Sequence, residues 1–160
     1  MIFVTVGHQT PYDRLVRLVD RWAAKNGRRD VFAQIGGGEY RPQQFAYAHF
    51  LEPAEFDRHL RECTALVGHA GTGSIIQALL IGKPMLVLPR LARFNETRND
   101  HQVGTALHFA EAAQILMAQD DADFVRQLDD VEAFRPHSLI GGAASPQLIA
   151  EIRQFIETRP

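Results

Sequence analysis

The sequence predicts an α/β fold in which a parallel sheet carries helices on both faces. Three observations support this prediction. Short apolar runs alternate along the chain with segments whose apolar residues recur at helical spacing. The apolar runs are continuous rather than alternating, which is typical of strands that are covered on both sides. Three of these runs end in glycine-containing segments, where the turns between strands and helices of such a fold lie.

The opening segment predicts one strand followed by one helix. Residues 2–6, IFVTV, form a short, β-branched and continuous run that stops at Gly7. Apolar residues then recur at helical spacing up to Trp22, and this helix is expected to end near Asn26 and Gly27. Its start signals are a cap, a proline at the first helical position and an acidic first turn, provided by Thr10, Pro11 and Asp13.

The next segment repeats this order. Residues 31–35 predict the second strand, which is followed by the three glycines at 36–38. A less regular stretch through Tyr47 and Phe50 is a candidate for a further strand. Pro53 opens a second helix, whose inward-facing residues are Phe56, Leu60 and Cys63.

The second half of the chain continues the alternation of strands and helices. In chain order it predicts a strand at 65–67, a helix at 74–81, a strand at 84–88, a helix at 99–111, a candidate strand at 113–117 and a helix at 121–128. A loop at 134–146 follows, and Ser145 with Pro146 caps a C-terminal helix.

Composition excludes several classes of protein. The 160 residues are 46% apolar and 22% charged and contain no repeat or linker, so we expect one domain over residues 1–160. A formal net charge of −2 and a pI near 6.4 argue against a protein that grips nucleic acid. The single cysteine, Cys63, excludes an internal disulfide and fits a reducing compartment. Because neither a membrane span nor a basic signal-peptide start is recognisable, we expect a cytoplasmic location.

The segment GHAGTGS at 68–74 predicts an anion-binding turn. Its last four residues, Gly71, Thr72, Gly73 and Ser74, stand at a predicted junction between a strand and a helix. Backbone amides there approach a ligand closely, and the helix N-terminus adds about half a positive charge, so a phosphate is the natural ligand. The alternative is structural, with glycines that allow a tight turn and Ser74 as the helix cap.

Three familiar phosphate or nucleophile motifs do not fit this turn. The segment lacks the third glycine of a dinucleotide-binding fingerprint. Lys83 has Gln77 where a P-loop has glycine and Pro84 where it has Ser or Thr. Ser74 does not fit the glycine-flanked pattern of a hydrolase nucleophile elbow, because Ile76 replaces the second glycine.

A second polar segment, NETRNDHQ at 95–102, is rich in side chains that hydrogen-bond. Such a cluster suits a polyhydroxylated ligand such as a sugar. The alternative is a polar loop in which Asn99 or Asp100 caps the following helix. Both interpretations place the segment directly before or within the first turn of the helix predicted at 99–111.

Two histidines fall in the predicted ligand loops. His8 and His69 are positioned to donate to a phosphate or to move a proton, or to serve a structural role. His101 and His108 share a helix face but lack a third ligand for zinc. The acidic residues at 121–123 begin an amphipathic helix, where carboxylates favour the helix dipole, so we expect no metal site.

Five strings, in this order and spacing, resemble a known family. IFVTVG, QIGGG, HAGTGS, GKP and NDHQ look like the nucleotide-sugar-binding subunit of two-component glycosyltransferases, within glycosyltransferase family 28. That group includes the catalytic subunit that adds the second N-acetylglucosamine to the dolichol-linked oligosaccharide. The opening 20 residues and the stretch VLPRLARFNETRNDHQ resemble the bacterial PssE-like subunits of exopolysaccharide and capsule assembly most closely. The likeness covers essentially the whole chain.

The resemblance implies a Rossmann-like fold, the donor-binding half of a GT-B glycosyltransferase, that binds a UDP-sugar without a metal or other cofactor. The Gly7 and His8 loop and the turn Gly71, Thr72, Gly73 and Ser74 would hold the diphosphate. Gln77 replaces a usual glutamate that bonds the ribose, and a neutral partner should hold a hydroxyl less tightly. The uracil segment would be Phe50, Leu51 and Glu52, and the donor-sugar contacts would be Asn99, Asp100 and Gln102.

The resemblance also implies a partner. In this family the acceptor-binding half supplies the general base and the membrane attachment, and this sequence contains neither a clear base nor an anchor. We therefore expect a membrane-associated acceptor-binding subunit at the inner face of the membrane and a lipid-diphosphate-linked saccharide as acceptor, with His8 and His69 as candidate catalytic groups on this chain. The alternative is a nucleotide-binding regulatory or assembly subunit without catalysis. UDP-sugar epimerases share such halves, but they carry both on one chain.

Overall fold

A computed structural model of the chain describes residues 1–112 and 114–137, together with Ala150 and Gln154. The strands are β1 (Ile2–Thr5), β2 (Val31–Gln34), β3 (Ala46–Ala48), β4 (Ala65–Gly68), β5 (Met85–Val87) and β6 (Leu116–Met117). The α-helices are α1 (Asp13–Asn26), α2 (Pro53–Glu62), α3 (Thr72–Leu80), α4 (His101–Glu111) and α5 (Asp121–Asp130). The predicted C-terminal helix lies outside the described residues, apart from Ala150 and Gln154. None of the helices formed by the described residues is both long and apolar enough to cross a bilayer.

The six strands form one sheet in the order β3-β2-β1-β4-β5-β6, and every neighbouring pair is parallel. Thr5, the last residue of β1, lies opposite Gln34 of β2 on one side and Gly68 of β4 on the other. This strand order is that of a Rossmann fold, and it confirms the predicted fold class. The order reverses between β1 and β4, so the chain winds outward from the centre of the sheet in both directions.

Each face of the sheet has its own apolar core. Ile2 and Val4 point to the face covered by α1 and α5, whereas Phe3, between them, points to the face covered by α2, α3 and α4. All three side chains are buried, and burying one such side chain contributes about 1.5–3 kcal/mol to stability. Because successive strand residues alternate between faces, continuous apolar strands are what two covered faces require.

Helix α1 begins at Asp13, later than the predicted cap at Thr10 and Pro11. Tyr12 occupies the position before the helix and its side chain makes no capping bond. Its hydroxyl lies 3.1 Å from the carbonyl oxygen of Leu88 and 3.0 Å from that of Pro89, so it anchors the start of the helix to the end of β5. The end of α1 agrees with the sequence, since Gly27 closes it in the left-handed conformation with φ 64°.

Helix α2 begins at Pro53, as predicted. Glu52 stands before it and forms a reciprocal capping box with Glu55, in which each side chain accepts from the other residue's backbone amide. The helix ends at Glu62, so Cys63 lies just beyond it and not within it. Its thiol is nevertheless buried in the core, as the apolar pattern indicates, and burial raises the pKa of that thiol.

A partly buried ion-pair network fixes the segment that follows β5. The Arg14 guanidinium of α1 donates to both carboxylate oxygens of Glu96, at 2.6 and 2.8 Å, and to Asp121 at 2.6 Å. Glu96 also accepts from the backbone amide of Leu91 at 3.0 Å. This network joins α1, the β5–α4 segment and the start of α5, and it holds the polar residues of that segment beside the end of β1.

Candidate functional site

The candidate site lies where the strand order reverses, beyond the carboxyl ends of β1 and β4. In sheets of this type the loops after these two strands separate, and the crevice between them is the usual ligand site. The loop after β1 begins at Gly7, which has φ 76°. The turn after β4 contains Gly71 and leads directly into α3. The two glycine segments that the sequence singles out therefore face each other across this crevice.

The first backbone amides of α3 have no capping side chain. Gly71 precedes the helix with extended backbone, φ −82° and ψ 124°, and no side chain makes a capping bond there. The amides of the first helical residues, Thr72, Gly73 and Ser74, precede the first intrahelical bond, which runs from Ile75 N to Gly71 O at 3.1 Å. Ser74 is the third residue of the helix and not its cap, so the structural alternative of a serine cap is wrong. Uncapped amides and the helix dipole together favour an anionic ligand.

A single imidazole lies between the two glycine segments. A Cβ on Gly7 would lie 2.8 Å from Cε1 of His69, and a Cβ on Gly71 would overlap Nε2 of the same ring. Both positions therefore need glycine for this close approach, and Gly7 also needs it for its positive φ. Burial, assisted by the charge of Arg90 and opposed by a contact with the Thr5 backbone, lowers the pKa of His69 to about 4. The ring is neutral at neutral pH.

The neutral His69 makes stability depend on pH. In the unfolded chain its pKa is near 6.5, so on acidification the unfolded state takes up a proton before the folded state does. The free energy of unfolding should therefore fall as the pH drops from about 6.5 to about 4, by up to about 3 kcal/mol. Urea unfolding across this range should give a flatter profile for His69→Gln, whereas replacing the exposed His137 by Gln should keep the wild-type profile. An unaltered pH profile in His69→Gln would contradict this assignment.

A cavity of about 660 Å³, here called the large cavity, opens beside the N-terminus of α3. Its lining includes residues that the sequence predicts to bind a nucleotide, namely Gly7, His8, Phe50, Leu51, Glu52, Gly73, Ser74 and Gln77. These residues come from the loop after β1, from the segment before α2 and from α3. The fold therefore gathers the predicted uracil and ribose residues and four of the predicted diphosphate residues around one cavity, whereas Gly71 and Thr72 do not line it.

The two walls of the large cavity differ in character. Phe50 is 53% exposed, and its ring is stacked with that of His8, with ring centroids 5.8 Å apart and planes 11° apart. An exposed aromatic ring at a cavity mouth offers a flat surface for a base. Gln77 also lines the cavity, and it lies on α3 with an exposed side chain whose amide can hydrogen-bond a hydroxyl group. The Glu52 carboxylate and backbone amide are both engaged in the capping box of α2, and its carbonyl oxygen accepts from the backbone amide of Phe56 at 2.9 Å, so the polar groups of this residue are already paired in the ligand-free chain.

A second cavity of about 350 Å³, here called the small cavity, adjoins the large one. It shares four lining residues with the large cavity: Gly7, His8, Gly73 and Ser74. Its other walls include Gly71, His69, Arg90 and Gln102. The Gln102 side chain is buried and its Oε1 accepts from the backbone amide of Arg90 at 3.1 Å. The small cavity thus extends from the large cavity to the β5–α4 segment, which lines it through Glu96 and Thr97.

The predicted donor-sugar residues lie in three different settings. Gln102 lines the small cavity, and Asn99 lines a third cavity of about 660 Å³ formed by the β5–α4 segment and the loop after β1. Asp100 lines none of these cavities, and its Oδ1 accepts from the backbone amide of Ala92 at 2.7 Å. Asp100 precedes α4 without a side-chain capping bond. Its carboxylate therefore orders the β5–α4 segment in the ligand-free chain.

The structure adds residues that the sequence did not single out. Arg90 follows β5 and is 3% exposed at the wall of the small cavity. Gln34 ends β2 at the wall of the large cavity, is fully buried, and both polar atoms of its amide lack a hydrogen-bond partner among the described residues. A buried side-chain amide without a hydrogen-bond partner lowers the stability of the folded state. A polar residue at the end of an apolar strand, as in VFAQ and VLPR, is the sequence signal that identifies both positions.

The described residues contain no cluster of three His, Cys, Asp or Glu side chains that would suit a metal ion. The acidic residues at 121–123 have structural partners instead. Asp121 pairs with Arg14, and Asp123 accepts from the backbone amide of Gln119 at 3.0 Å and from the Gln127 side chain at 2.9 Å. Asp120 caps α5 by accepting from the amide of Asp123 at 2.8 Å.

Solved structures with the same fold include several glycosyltransferases. Acinetobacter baumannii MurG has a TM-score of 0.66 and 13% identity, over 96% of this chain and 49% of MurG. A putative UDP-N-acetylglucosamine 2-epimerase from Listeria monocytogenes has a TM-score of 0.64 and 13% identity, over 99% of this chain and 46% of the epimerase. ALG13 has a TM-score of 0.58 and 19% identity, over 98% of this chain and 95% of ALG13. At these identities the likeness establishes the fold alone.

The chain corresponds to only part of most of these proteins. It spans 34% of the calicheamicin glycosyltransferase CalG4, about half of MurG, and nearly all of ALG13. No curated protein matches it closely in sequence. The sequence model of the glycosyltransferase family 28 C-terminal domain, however, matches residues 1–135, which contain β1 to β6 and both glycine turns. The chain therefore belongs to the glycosyltransferase family 28 C-terminal domain family.

Proposed function

We propose that this chain is the UDP-sugar-binding catalytic subunit of a two-chain glycosyltransferase. The observation that carries the proposal is the convergence of the Gly7 loop and the uncapped N-terminus of α3 between two adjoining cavities. A nucleoside fits the large cavity, with its base beside residues 50–52 and its ribose beside Gln77. The diphosphate then meets the amides of Thr72, Gly73 and Ser74, and the donor sugar extends towards Asn99, Asp100 and Gln102.

The proposed chemistry is the transfer of a sugar with UDP as leaving group. The bond between the anomeric carbon and the phosphate oxygen breaks, the acceptor hydroxyl forms the new bond, and the electron pair departs with UDP. Negative charge therefore grows on the diphosphate in the transition state, and groups that stabilise this charge accelerate the reaction. The amides and dipole of α3 are fixed in place before the substrate arrives, which is the arrangement that electrostatic catalysis requires. In this proposal no metal ion is needed.

The general base is proposed to come from a partner subunit. The His69 ring packs against Gly7 and Gly71, where it shapes the site, while His8 stacks with Phe50 at the large cavity. Both rings line the small cavity, and the roles of His8 and His69 as candidate catalytic groups on this chain stay predictions. The resemblance to two-component enzymes, and a chain nearly coextensive with ALG13, support a membrane-associated acceptor-binding partner. The acceptor would be a lipid-diphosphate-linked saccharide of exopolysaccharide or capsule assembly, at the inner face of the membrane.

Calorimetry and a transfer assay test this proposal. The purified chain should bind UDP and at least one UDP-sugar, and radiolabelled sugar should reach a lipid-diphosphate acceptor only when the partner subunit is added. Absence of binding to UDP and to UDP-sugars would refute the proposal. Binding without transfer in the presence of the partner would favour the alternative, a regulatory or assembly subunit. Full transfer by the isolated chain would refute the two-chain arrangement.

Replacing Gln77 by Glu is expected to tighten UDP binding by about 3- to 10-fold, because a carboxylate makes a stronger, charge-assisted bond with a ribose hydroxyl. Gln77 is exposed on α3, so the change should leave the fold intact. Calorimetry with 2′,3′-dideoxyuridine diphosphate provides the control. This ligand lacks the ribose hydroxyls, so its affinity should be the same for Gln77→Glu and the wild type. Equal changes for the two ligands would show that Gln77 does not contact the ribose.

A further inference from the structure

Arg90 holds the loop after β1 through its guanidinium group. Its Nη2 donates to the carbonyl oxygens of Val6 at 2.6 Å and Thr10 at 2.7 Å, and its Nη1 donates to that of Pro11 at 2.7 Å. A longer bond of 3.5 Å joins Nη1 to the carbonyl oxygen of Glu96. The three short bonds bracket residues 7–9, so one side chain from the end of β5 fixes both ends of the Gly7 loop.

The charge of Arg90 has no carboxylate partner. Among the residues that the structure describes, no acidic side chain lies within ion-pair distance of this guanidinium. The Glu96 carboxylate is taken by Arg14, and the Tyr12 ring, 4.7 Å from the Arg90 guanidinium carbon, carries no charge. Burial lowers the pKa of Arg90. A buried cation whose hydrogen bonds go only to neutral carbonyl groups keeps a charge that is not neutralised, and this charge favours the binding of an anion beside it.

The position of Arg90 indicates which ligand that is. Arg90 lines the small cavity with Gly7, His69, Gly71 and Ser74, where the uncapped amides of α3 open. Its four hydrogen bonds to carbonyl oxygens use Nη1 and Nη2, so within the described part of the chain Nε is the guanidinium nitrogen without an acceptor. The guanidinium therefore acts on an anion mainly through its charge and through the loop that it holds.

We propose that Arg90 is a positioning residue for the donor diphosphate: it fixes the Gly7 loop and supplies the unpaired positive charge that the diphosphate neutralises. This inference rests on the proposed function, because it requires a nucleoside diphosphate in the small cavity. The backbone amides of α3 cannot neutralise the charge of a diphosphate, because an amide carries no net charge, whereas the Arg90 guanidinium can. It also explains why the β1 loop and the end of β5 are joined by a cation and not by an apolar contact.

Arg90→Met and Arg90→Lys test the proposal, with Arg28→Met as a matched control. Arg28 is also a partly buried, hydrogen-bonded arginine beside an aromatic ring, Trp22, but it lies between α1 and β2 at the opposite edge of the sheet. Affinities for UDP and uridine are measured by calorimetry. Arg90→Met should weaken UDP binding by about 10- to 100-fold but uridine binding by less than about 3-fold. Arg90→Lys, which keeps the charge, should recover part of the UDP affinity.

Amide hydrogen exchange of the ligand-free protein provides a second readout. Residues 7–10 should exchange faster in Arg90→Met than in the wild type or in Arg28→Met. Equal losses for UDP and uridine, or UDP affinity in Arg90→Met equal to that in Arg28→Met, would overturn the proposal. A wild-type chain that binds no UDP would refute the proposed function instead, and the exchange of residues 7–10 would then decide whether Arg90 fixes the loop. If Arg90→Met does not fold, Arg90→Lys and the same two ligands give the comparison.

Discussion

Gly71→Ala is expected to lower the free energy of unfolding by about 2–3 kcal/mol and to weaken UDP binding by more than about 10-fold. The backbone of Gly71 suits any residue, with φ −82° and ψ 124°, so the cost comes from contact and not from conformation. A methyl group there would overlap Nε2 of His69 and lie 2.9 Å from Cε1. The same edge of the ring also approaches Gly7, so a methyl group at position 71 would displace the imidazole from its packed position.

A double-mutant cycle with His69→Ala measures this contact directly. Once the imidazole is removed, Gly71→Ala has no ring to displace, so the double variant should be more stable than the sum of the single effects by about 1–2 kcal/mol. Gly7→Ala should behave differently, because its φ of 76° costs about 1–2 kcal/mol whether or not the ring is present. Gly73→Ala is the control, since a Cβ there meets nothing within 4 Å. Additive effects of Gly71→Ala and His69→Ala in urea unfolding would contradict the shared contact.

Gly68→Ala is expected to destabilise the protein by about 3 kcal/mol or more, because the added methyl group meets backbone. A Cβ on Gly68 would lie 2.6 Å from the carbonyl oxygen of Thr5, its neighbour in β1. A flexible side chain can turn away from such a contact, but a carbonyl in the middle of a parallel sheet cannot move without breaking its own hydrogen bonds. The expected result is a large fall in the unfolding midpoint in urea.

Gly104→Ala gives the matched comparison for Gly68→Ala. Gly104 lies within α4 and a Cβ there meets nothing within 4 Å, so alanine should stabilise this helix by about 0.5–1 kcal/mol. The two variants add the same methyl group and should change stability in opposite directions. A Gly68→Ala protein as stable as the wild type would mean that β1 and β4 are farther apart than their described register requires.

The fold was largely predictable from the sequence because its signals are local. The continuous apolar runs at 2–6, 31–35, 65–67 and 84–88 each correspond to a strand, since a strand covered on both faces has no polar face to show. Element ends were less predictable. The cap predicted at Thr10 is absent because Tyr12, which anchors the start of α1, bonds to carbonyls 76 and 77 residues away. A contact of that range leaves no local pattern.

The candidate site likewise contains features that local sequence signals predict and features that depend on contacts between distant parts of the chain. Glycines at strand ends are visible in the sequence, and parallel strands bring their carboxyl ends to one edge, so the pairing of Gly7 with Gly71 follows from the fold class. The contacts of His69 and Arg90 could not be predicted from the fold class. Each depends on which atoms meet across the crevice, as in the bond from Arg90 to Val6, 84 residues away. The functions assigned to Gln77, Asn99 and Asp100 stay predictions that ligand-binding measurements must decide.

The loop between α1 and β2 lies at the edge of the sheet opposite both cavities, and its first residue, Gly27, is exposed with no atom near its missing side chain. Inserted sequence is tolerated best at such places. A fluorescent reporter or an immobilising tag placed after Gly27 would leave the crevice open to solvent and to a second protein. The loop between α1 and β2 is therefore a suitable attachment site for single-molecule or surface-based assays of this chain.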